Sequence, residues 1–279
     1  MRIDRSRSSR NIEDRRTSGR RVGKGSIGIG TIVLALVAMY FGVDPSTILQ
    51  IAEQPVTSQQ VDAPTGTPSD PQGQFVAKVL GETEDVWRTV FTQQTNGQYQ
   101  PPTLVLFRDA TPTACGTGQA AMGPFYCPAD QKVYLDLGFF DELANQLNAP
   151  GDFARAYVIA HEIGHHVQNQ VGSMRRAEAL RLQGANANQV SVRVELQADC
   201  YAGIWAHHAD RERQILEAGD IEDALRAASA VGDDTLQKRS RGVAVPDSFT
   251  HGSSAERMQW FNRGFNSGAL QSCDTFNAS

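Results

Sequence analysis

The body of the chain lacks an excess of positive charge. The 279 residues include 26 Lys or Arg and 31 Asp or Glu, which gives a net charge of −5. Nine of the basic residues lie within residues 1–25, so residues 26–279 hold 17 basic residues against 28 acidic ones. Binding to nucleic acid requires a basic surface that neutralises phosphate groups. We therefore expect no nucleic-acid partner.

Charged residues are also absent from Gly25 to Val43, a run of 19 residues that follows eight arginines. As a helix this run spans roughly 28 Å, close to the thickness of a bilayer's hydrocarbon core. A small-residue cleavage site is missing near Ala38, which disfavours the alternative of a cleaved signal peptide. A buried core helix is the second alternative. The sequence predicts an uncleaved transmembrane signal anchor at residues 25–43, with residues 1–24 as a basic cytoplasmic tail.

Apolar residues are scarce in the segment that follows the predicted anchor. Residues 44–73 contain five of the 12 prolines and many Gln, Ser and Thr residues. This composition is typical of a flexible linker. We therefore expect a membrane-bound protein whose folded domain, residues 74–279, lies on the exported side, in the periplasm or outside the cell.

The folded domain shows no internal repeat, and its patterning changes along the chain. Residues 103–107 and 133–137 have the composition and alternation of β-strands. From Asp152 onward the periodicity is mostly helical, with Asp152 as the expected N-cap of a helix that ends near Val171. A capping box, Ser253 to Glu256, predicts the start of the last helix. These patterns indicate an α+β domain with a small antiparallel sheet followed by helices.

Cysteines are few, and four of them allow three pairings. Disulfides are typical of exported proteins. We expect the nearest-neighbour pairing, Cys115 with Cys127 and Cys200 with Cys273. Four buried reduced thiols are the alternative and would suit a cytoplasmic body.

Residues 160–168 read AHEIGHHVQ and contain the pattern HExxH, with His161, Glu162 and His165. Helical positions four apart face the same way, so both imidazoles can reach one metal ion. Glu162 lies about 100° round the helix from His161 and can reach a water on that metal. His166 points about 100° away from His165 and is not expected to be a ligand. The pattern predicts one Zn²⁺ per chain, with Glu162 as general base.

A catalytic zinc centre needs a third protein ligand and an open fourth position. Residue 171 is valine, which excludes the class with a third histidine six residues after the motif. The later segment VELQAD places Glu195 and Asp199 four residues apart on one helical face. We expect Glu195 to be the third ligand, with Asp199 accepting the second N–H of a ligand histidine. The alternative is that both are solvated surface charges.

The combination of HExxH with a later ExxxD helix resembles the glutamate-liganded zinc peptidases, or gluzincins, such as thermolysin-like enzymes. More closely, the chain resembles the neutral zinc metallopeptidase family of single-pass bacterial membrane proteins. The matching stretches are GPFYCP (123–128), VYLDL (133–137), AYVIAHEIGHHVQN (156–169), ELQADCYAG (195–203), FTHGSSAER (249–257) and CDTF (273–276). The resemblance implies a zincin-like domain with zinc at His161, His165 and Glu195, catalysis by Glu162, and an anchored, exported body.

Hydrolysis of peptide bonds, by an endopeptidase acting on a peptide or protein substrate, is the expected activity. His251, two residues before the Ser253 cap, is the candidate for a second donor to the oxyanion; a loop histidine with local contacts is the alternative. In thermolysin-like enzymes the substrate pairs with an edge strand, for which residues 133–137 are the candidate. An inactive zinc-containing scaffold of the cell envelope and a zinc hydrolase of non-peptide amides or esters are rival functions.

Overall fold

A computed structural model describes residues 1–16 and 63–277. The strands are β1 (Ile12–Asp14), β2 (Thr103–Phe107), β3 (Ala110–Thr113), β4 (Gly116–Gln119), β5 (Phe125–Cys127) and β6 (Lys132–Asp136). The helices are α1 (Pro71–Gln94), α2 (Gly138–Asn145), α3 (Asp152–Val171), α4 (Ser173–Leu182), α5 (Ala187–Arg213), α6 (Asp220–Ala230), α7 (Asp233–Arg241) and α8 (Ser254–Ser267). The described part of the chain is therefore mostly helical, with small sheets.

The main sheet is mixed, with the strand order β1-β2-β6-β5. Strand β2 runs parallel to both β1 and β6, and only β5 runs antiparallel to its neighbour. The expected small antiparallel sheet is therefore wrong for this sheet, although the separate pair β3–β4 is antiparallel. A parallel pairing needs a crossover of a dozen or more residues, and residues 108–131 supply one between β2 and β6. On this side of the sheet the edge strand is β5, and β6 is interior.

Helix α3 lies at the centre of the domain and packs against α1, α5 and α6. Its crossing with α5 is close because residue 164 is glycine. A Cβ atom at Gly164 would lie 2.9 Å from the carbonyl oxygen of Ala198. Since real Cβ atoms do not approach an oxygen this closely, only glycine permits this separation of the two helix axes. The HExxH segment and the ELQAD segment therefore face each other across this contact.

Both predicted disulfides are present. Cys115 pairs with Cys127 and joins the β3–β4 turn to strand β5. Cys200 pairs with Cys273 and joins α5 to the segment after α8. The two cysteines of the second pair are fully buried, whereas Cys115 is exposed. The expected pairing is therefore confirmed.

Residues 1–16 are part of the same folded body. Strand β1 pairs with β2, and Ile12 is fully buried in the core. The buried carboxylate of Glu84 on α1 accepts hydrogen bonds from Arg7, Ser9 and Asn11. The predicted cytoplasmic tail, residues 1–24, would be separated from the body by a membrane and could not make these contacts.

The described segments that end at residue 16 and begin at residue 63 are hydrogen-bonded to each other. The backbone N–H of Asp14 donates to the carbonyl of Pro64 at 3.0 Å, and that of Gly66 donates to Ile12 at 2.9 Å. A single membrane crossing between these residues would put them on opposite sides. No helix within residues 1–16 and 63–277 is long and apolar enough to cross a membrane, and the expected anchor at residues 25–43 lies outside them. The predicted topology, with residues 1–24 as a cytoplasmic tail and the folded domain on the exported side, is therefore wrong.

Candidate metal centre

A cavity of about 570 Å³ opens beside helix α3. Its wall includes the segment from Ala121 to Tyr126, which leads into the edge strand β5. Most of its lining is apolar, with aromatic and aliphatic side chains such as Phe139 and Leu147. Most of its polar groups converge from α3, α5, the loop before α8 and the first turn of α8: His161, Glu162, His165, Glu195, His251 and Arg257. A largely apolar cavity with a few convergent polar groups is the usual form of a ligand site.

Three of these side chains form a compact cluster of metal-ligand atoms. One ligand atom from each of His161, His165 and Glu195 lies within 4.8 Å of the other two. The Nε2 of His161 is 3.2 Å from one Glu195 oxygen, and the Nε2 of His165 is 3.5 Å from the other. The histidines come from successive turns of α3 and the glutamate from α5. The structure therefore brings together the three residues that the sequence singled out as ligands.

The cluster fits a zinc ion in both chemistry and size. Zn²⁺ prefers imidazole nitrogen and carboxylate oxygen at about 2.0–2.2 Å, in a tetrahedral arrangement. Ligand atoms at the corners of such a tetrahedron lie about 3.3 Å apart, which agrees with the two contacts to Glu195. Two imidazoles and a carboxylate also leave a fourth position, as catalytic zinc sites do.

Asp199 orients the first histidine. Its buried carboxylate lies 2.9 Å from Nδ1 of His161, which leaves Nε2 directed at the cluster. The same carboxylate accepts two hydrogen bonds from Arg257, at 2.8 and 3.0 Å, and one from the hydroxyl of Tyr157. Burial raises the pKa of Asp199, but Arg257 and His161 outweigh it and hold the pKa below its usual value. Asp199 is therefore an ionised acceptor for the imidazole N–H, the role expected for it.

The second histidine is oriented by a residue that sequence reasoning missed. Nδ1 of His165 donates to the side-chain oxygen of Gln168 at 2.8 Å, one turn further along α3. The amide nitrogen of Gln168 donates to the carbonyl of Val194 at 2.7 Å and to Gln197 at 3.1 Å. These bonds fix which end of the amide faces the imidazole. Each histidine thus keeps its Nε2 directed at the cluster through a buried partner on Nδ1.

Electrostatics of the cluster favour bound positive charge. Burial lowers the pKa of His161, but Asp199 and Glu195 outweigh burial and raise it to about 10. Burial likewise raises the pKa of Glu195, yet His165 and His161 outweigh this effect and hold it well below its usual value. The carboxylates therefore stay ionised and stabilise a cation between them. A metal ion would replace the protons that the imidazoles otherwise carry.

Glu162 borders the cluster of ligand atoms and lines the same cavity. Its Oε2 atom is buried and has no hydrogen-bond partner within the part of the chain that the structure describes. Burial raises the pKa of Glu162, partly opposed by His165 and His161. A buried, unpaired carboxylate oxygen costs free energy, so such atoms occur where chemistry or a bound water uses them.

His251 lines the same cavity and is held by Asp233 at the start of α7. Its Nδ1 lies 3.3 Å from one oxygen of Asp233, and the other oxygen accepts the backbone N–H groups of Thr250, His251 and Gly252. The hydrogen bond that His251 donates to Asp233 is the main cause that raises the pKa of His251, with burial opposing it. His251 is thus more than a free loop residue, although 53% of its side chain is exposed.

Two histidines and a glutamate on and beside an HExxH helix are a donor set typical of zinc-dependent hydrolases. The family model described as "Putative neutral zinc metallopeptidase" matches residues 1–276, and the chain belongs to this family. It is 46% identical over 290 residues to "Uncharacterized protein YpfJ" of Escherichia coli strain K12, with all of both chains covered. It is 40% identical over 262 residues to "Uncharacterized protein Mb2605" of Mycobacterium bovis, covering 87% of this chain and 86% of that one. No solved structure matches the chain.

Gln168, Arg257 and Asp233 are site residues that the sequence analysis did not single out. Gln168 lies three residues after His165, a spacing that places both on one helical face. Arg257 lies on α8, far along the chain from the motif, and only the packing of α8 on α5 brings it to Asp199. Gln168 and Arg257 both fall inside stretches that carry the family resemblance, 156–169 and 249–257, but only Gln168 has a spacing that relates it to a ligand.

Proposed function

We propose that this protein is a zinc-dependent peptidase that hydrolyses internal peptide bonds. The observation that carries the proposal is one carboxylate oxygen of Glu162, which is buried beside the His161, His165 and Glu195 cluster and has no hydrogen-bond partner among the described residues. Membership of the zinc metallopeptidase family supports the same reaction. The apolar cavity supports a substrate with side chains to bury.

His161, His165 and Glu195 would hold the zinc ion. When bound there, Zn²⁺ makes a water molecule acidic enough to attack at neutral pH and polarises the scissile carbonyl. Glu162 accepts the proton of the attacking water and passes it to the departing amine. Its raised pKa suits both halves of this transfer, because a general base works best when its pKa approaches the working pH.

Strand β5 is the segment along which the peptide would lie. Strand β6, the expected substrate edge, is interior to the sheet because β5 covers it. The outer side of β5 has no strand neighbour among the described residues, and Phe125 and Tyr126 line the cavity. A peptide added to this edge gains main-chain hydrogen bonds whatever its sequence.

His251 would stabilise the oxyanion that forms on the scissile carbonyl. Because Asp233 holds Nδ1 and favours the protonated ring, the opposite nitrogen carries a hydrogen that it can donate. A donor that meets developing negative charge in a cavity is worth about 100- to 1,000-fold in turnover.

The test is cleavage of a peptide library by the purified full-length chain. We expect products with new amino termini inside the peptides, loss of cleavage with a chelator, and recovery when zinc is restored. An inactive scaffold would bind zinc and give no chelator-sensitive products. A hydrolase of non-peptide amides or esters would cleave small amide or ester panels while leaving every peptide intact.

A further inference from the structure

Strand β5 is only three residues long, yet it is held on both faces. On one face, the ring of Phe125 stacks on Tyr134 with centroids 4.9 Å apart, and Cys127 is joined to Cys115. Because side chains alternate along a strand, Tyr126 points to the opposite face, toward helix α3. A short edge strand gains little from its backbone pairing alone, so these side-chain contacts set its position.

The hydroxyl of Tyr126 contacts two residues of α3. It lies 3.1 Å from Nδ1 of His166, and the side-chain amide of Asn169 donates to it at 3.0 Å. The rings of Tyr126 and His166 also meet edge to face, with centroids 5.4 Å apart. His166 directly follows the ligand His165, and Asn169 lies one turn further along the same helix. The contact therefore joins the edge strand to the helix that carries the metal ligands.

The surroundings of His166 favour one direction for these hydrogen bonds. Nε2 of His166 lies 2.7 Å from the carbonyl oxygen of Gln100, which can only accept. Nε2 also lies 2.6 Å from the side-chain nitrogen of Gln170, but that amide already donates to the same carbonyl, so the carbonyl assigns the proton to Nε2. Nδ1 is then an acceptor and takes the hydrogen of the Tyr126 hydroxyl. The hydroxyl in turn accepts from Asn169. The Tyr126 hydroxyl therefore donates one hydrogen bond to α3 and accepts one from it, while the Tyr126 ring lines the cavity.

We propose that His166 and Asn169, through the hydroxyl of Tyr126, are positioning residues that fix the substrate-binding edge of β5 against the metal-ligand helix. This inference rests on the proposed peptidase function. None of the three side chains is among the metal ligands or the reacting groups. Their loss should therefore weaken peptide binding and leave the metal and the chemical step intact.

The test of this positioning role compares Tyr126→Phe with Tyr134→Phe in the full-length chain. Each change removes one hydrogen-bonded hydroxyl and keeps the ring, but Tyr134 lies on β6 and bonds Asp130, away from α3. For Tyr126→Phe we expect KM for a peptide substrate to rise about tenfold, the factor that loss of one hydrogen bond supplies, with kcat and zinc content within twofold of wild type. Tyr134→Phe should leave all three within twofold.

Asn169→Ala should reproduce the rise in KM, and the double variant with Tyr126→Phe should be no worse than either single variant, because both remove one shared contact. An unchanged KM in Tyr126→Phe would overturn the proposal. A fall in kcat or zinc content at unchanged KM would also overturn it, since the contact would then serve the metal centre.

Amide hydrogen exchange gives a readout that does not depend on turnover. Exchange in residues 125–127 should be faster in Tyr126→Phe than in wild type, and unchanged in Tyr134→Phe. Equal protection in wild type and Tyr126→Phe would contradict the positioning role. Absence of peptide cleavage by the wild-type chain would contradict the proposed function instead, and the exchange measurement would still decide whether the hydroxyl holds β5.

Discussion

The ligand side of the metal centre and its reacting side are built in opposite ways. On the ligand side, each imidazole has its second nitrogen held by a buried acceptor, Asp199 or Gln168, and each acceptor is itself held by further hydrogen bonds. On the reacting side, Glu162 keeps one oxygen without a partner among the described residues, and His251 leaves half of its side chain exposed. The difference separates residues that hold the metal from residues that meet the substrate.

This difference has a physical reason. A ligand that must present one nitrogen in one direction gains from every contact that removes its alternatives. A general base or an oxyanion donor must keep an atom available for a partner that arrives only with the substrate. Substitutions on the two sides should therefore change different quantities: metal content on the first, turnover on the second.

Loss of a ligand should have the largest effect on metal content. Glu195→Ala removes the only carboxylate of the cluster, so zinc affinity should fall by more than the roughly 10–100-fold that loss of a supporting residue costs. Metal analysis of the purified full-length chain checks this. Glu142→Ala is the matched control, because Glu142 lines the same cavity but lies outside the cluster. Full zinc content in Glu195→Ala would contradict the ligand assignment.

On the reacting side, His251→Ala should lower kcat by about 100- to 1,000-fold and leave zinc content unchanged. Asp233→Asn should have a smaller effect with a pH signature. Asp233 raises the pKa of His251, so the protonated donor is lost as pH rises through that raised value. Without the carboxylate, the alkaline limb of the kcat profile should move to lower pH. Unchanged turnover in His251→Ala would assign the oxyanion donor to another group.

A supporting residue on the ligand side should give the smallest effect. Gln168→Leu removes the acceptor for Nδ1 of His165 while keeping a similar shape, so zinc affinity should fall by about 10–100-fold. At saturating zinc, kcat should stay within a few-fold of wild type. Competition with a zinc chelator of known affinity measures the change. A variant that binds zinc as tightly as wild type would show that α3 alone orients this histidine.

Local signals in the sequence predicted much of the fold. The strand at residues 103–107, the ends of helix α3 and the capping box at Ser253 agree with the structure. One detail of α3 differs, because its N-cap is Gly151, so Asp152 is the first helical residue. Periodicity and capping depend on neighbours in the chain, and the sequence contains those neighbours.

Contacts between segments that lie far apart in the chain were not predictable from these local signals. The pairing of β1 with β2 depends on an N-terminal segment whose arginines resembled the flank of an anchor, whereas Arg7 and Arg16 form ion pairs with Glu84 and Asp70. The position of Arg257 depends on how α8 crosses α5. Short helices such as α7, which is highly polar, carry no apolar stripe by which to recognise them.

Glu162 is the proposed base of the zinc-dependent reaction, and Glu162→Gln tests this role most directly. The amide keeps the size of the side chain but cannot accept the proton of the attacking water. Measured together on one preparation of the full-length chain, zinc content should equal that of wild type and peptide turnover should fall at least about 100-fold. A Glu162→Gln protein that holds zinc and cleaves peptides as fast as wild type would contradict the assignment of Glu162 as the general base.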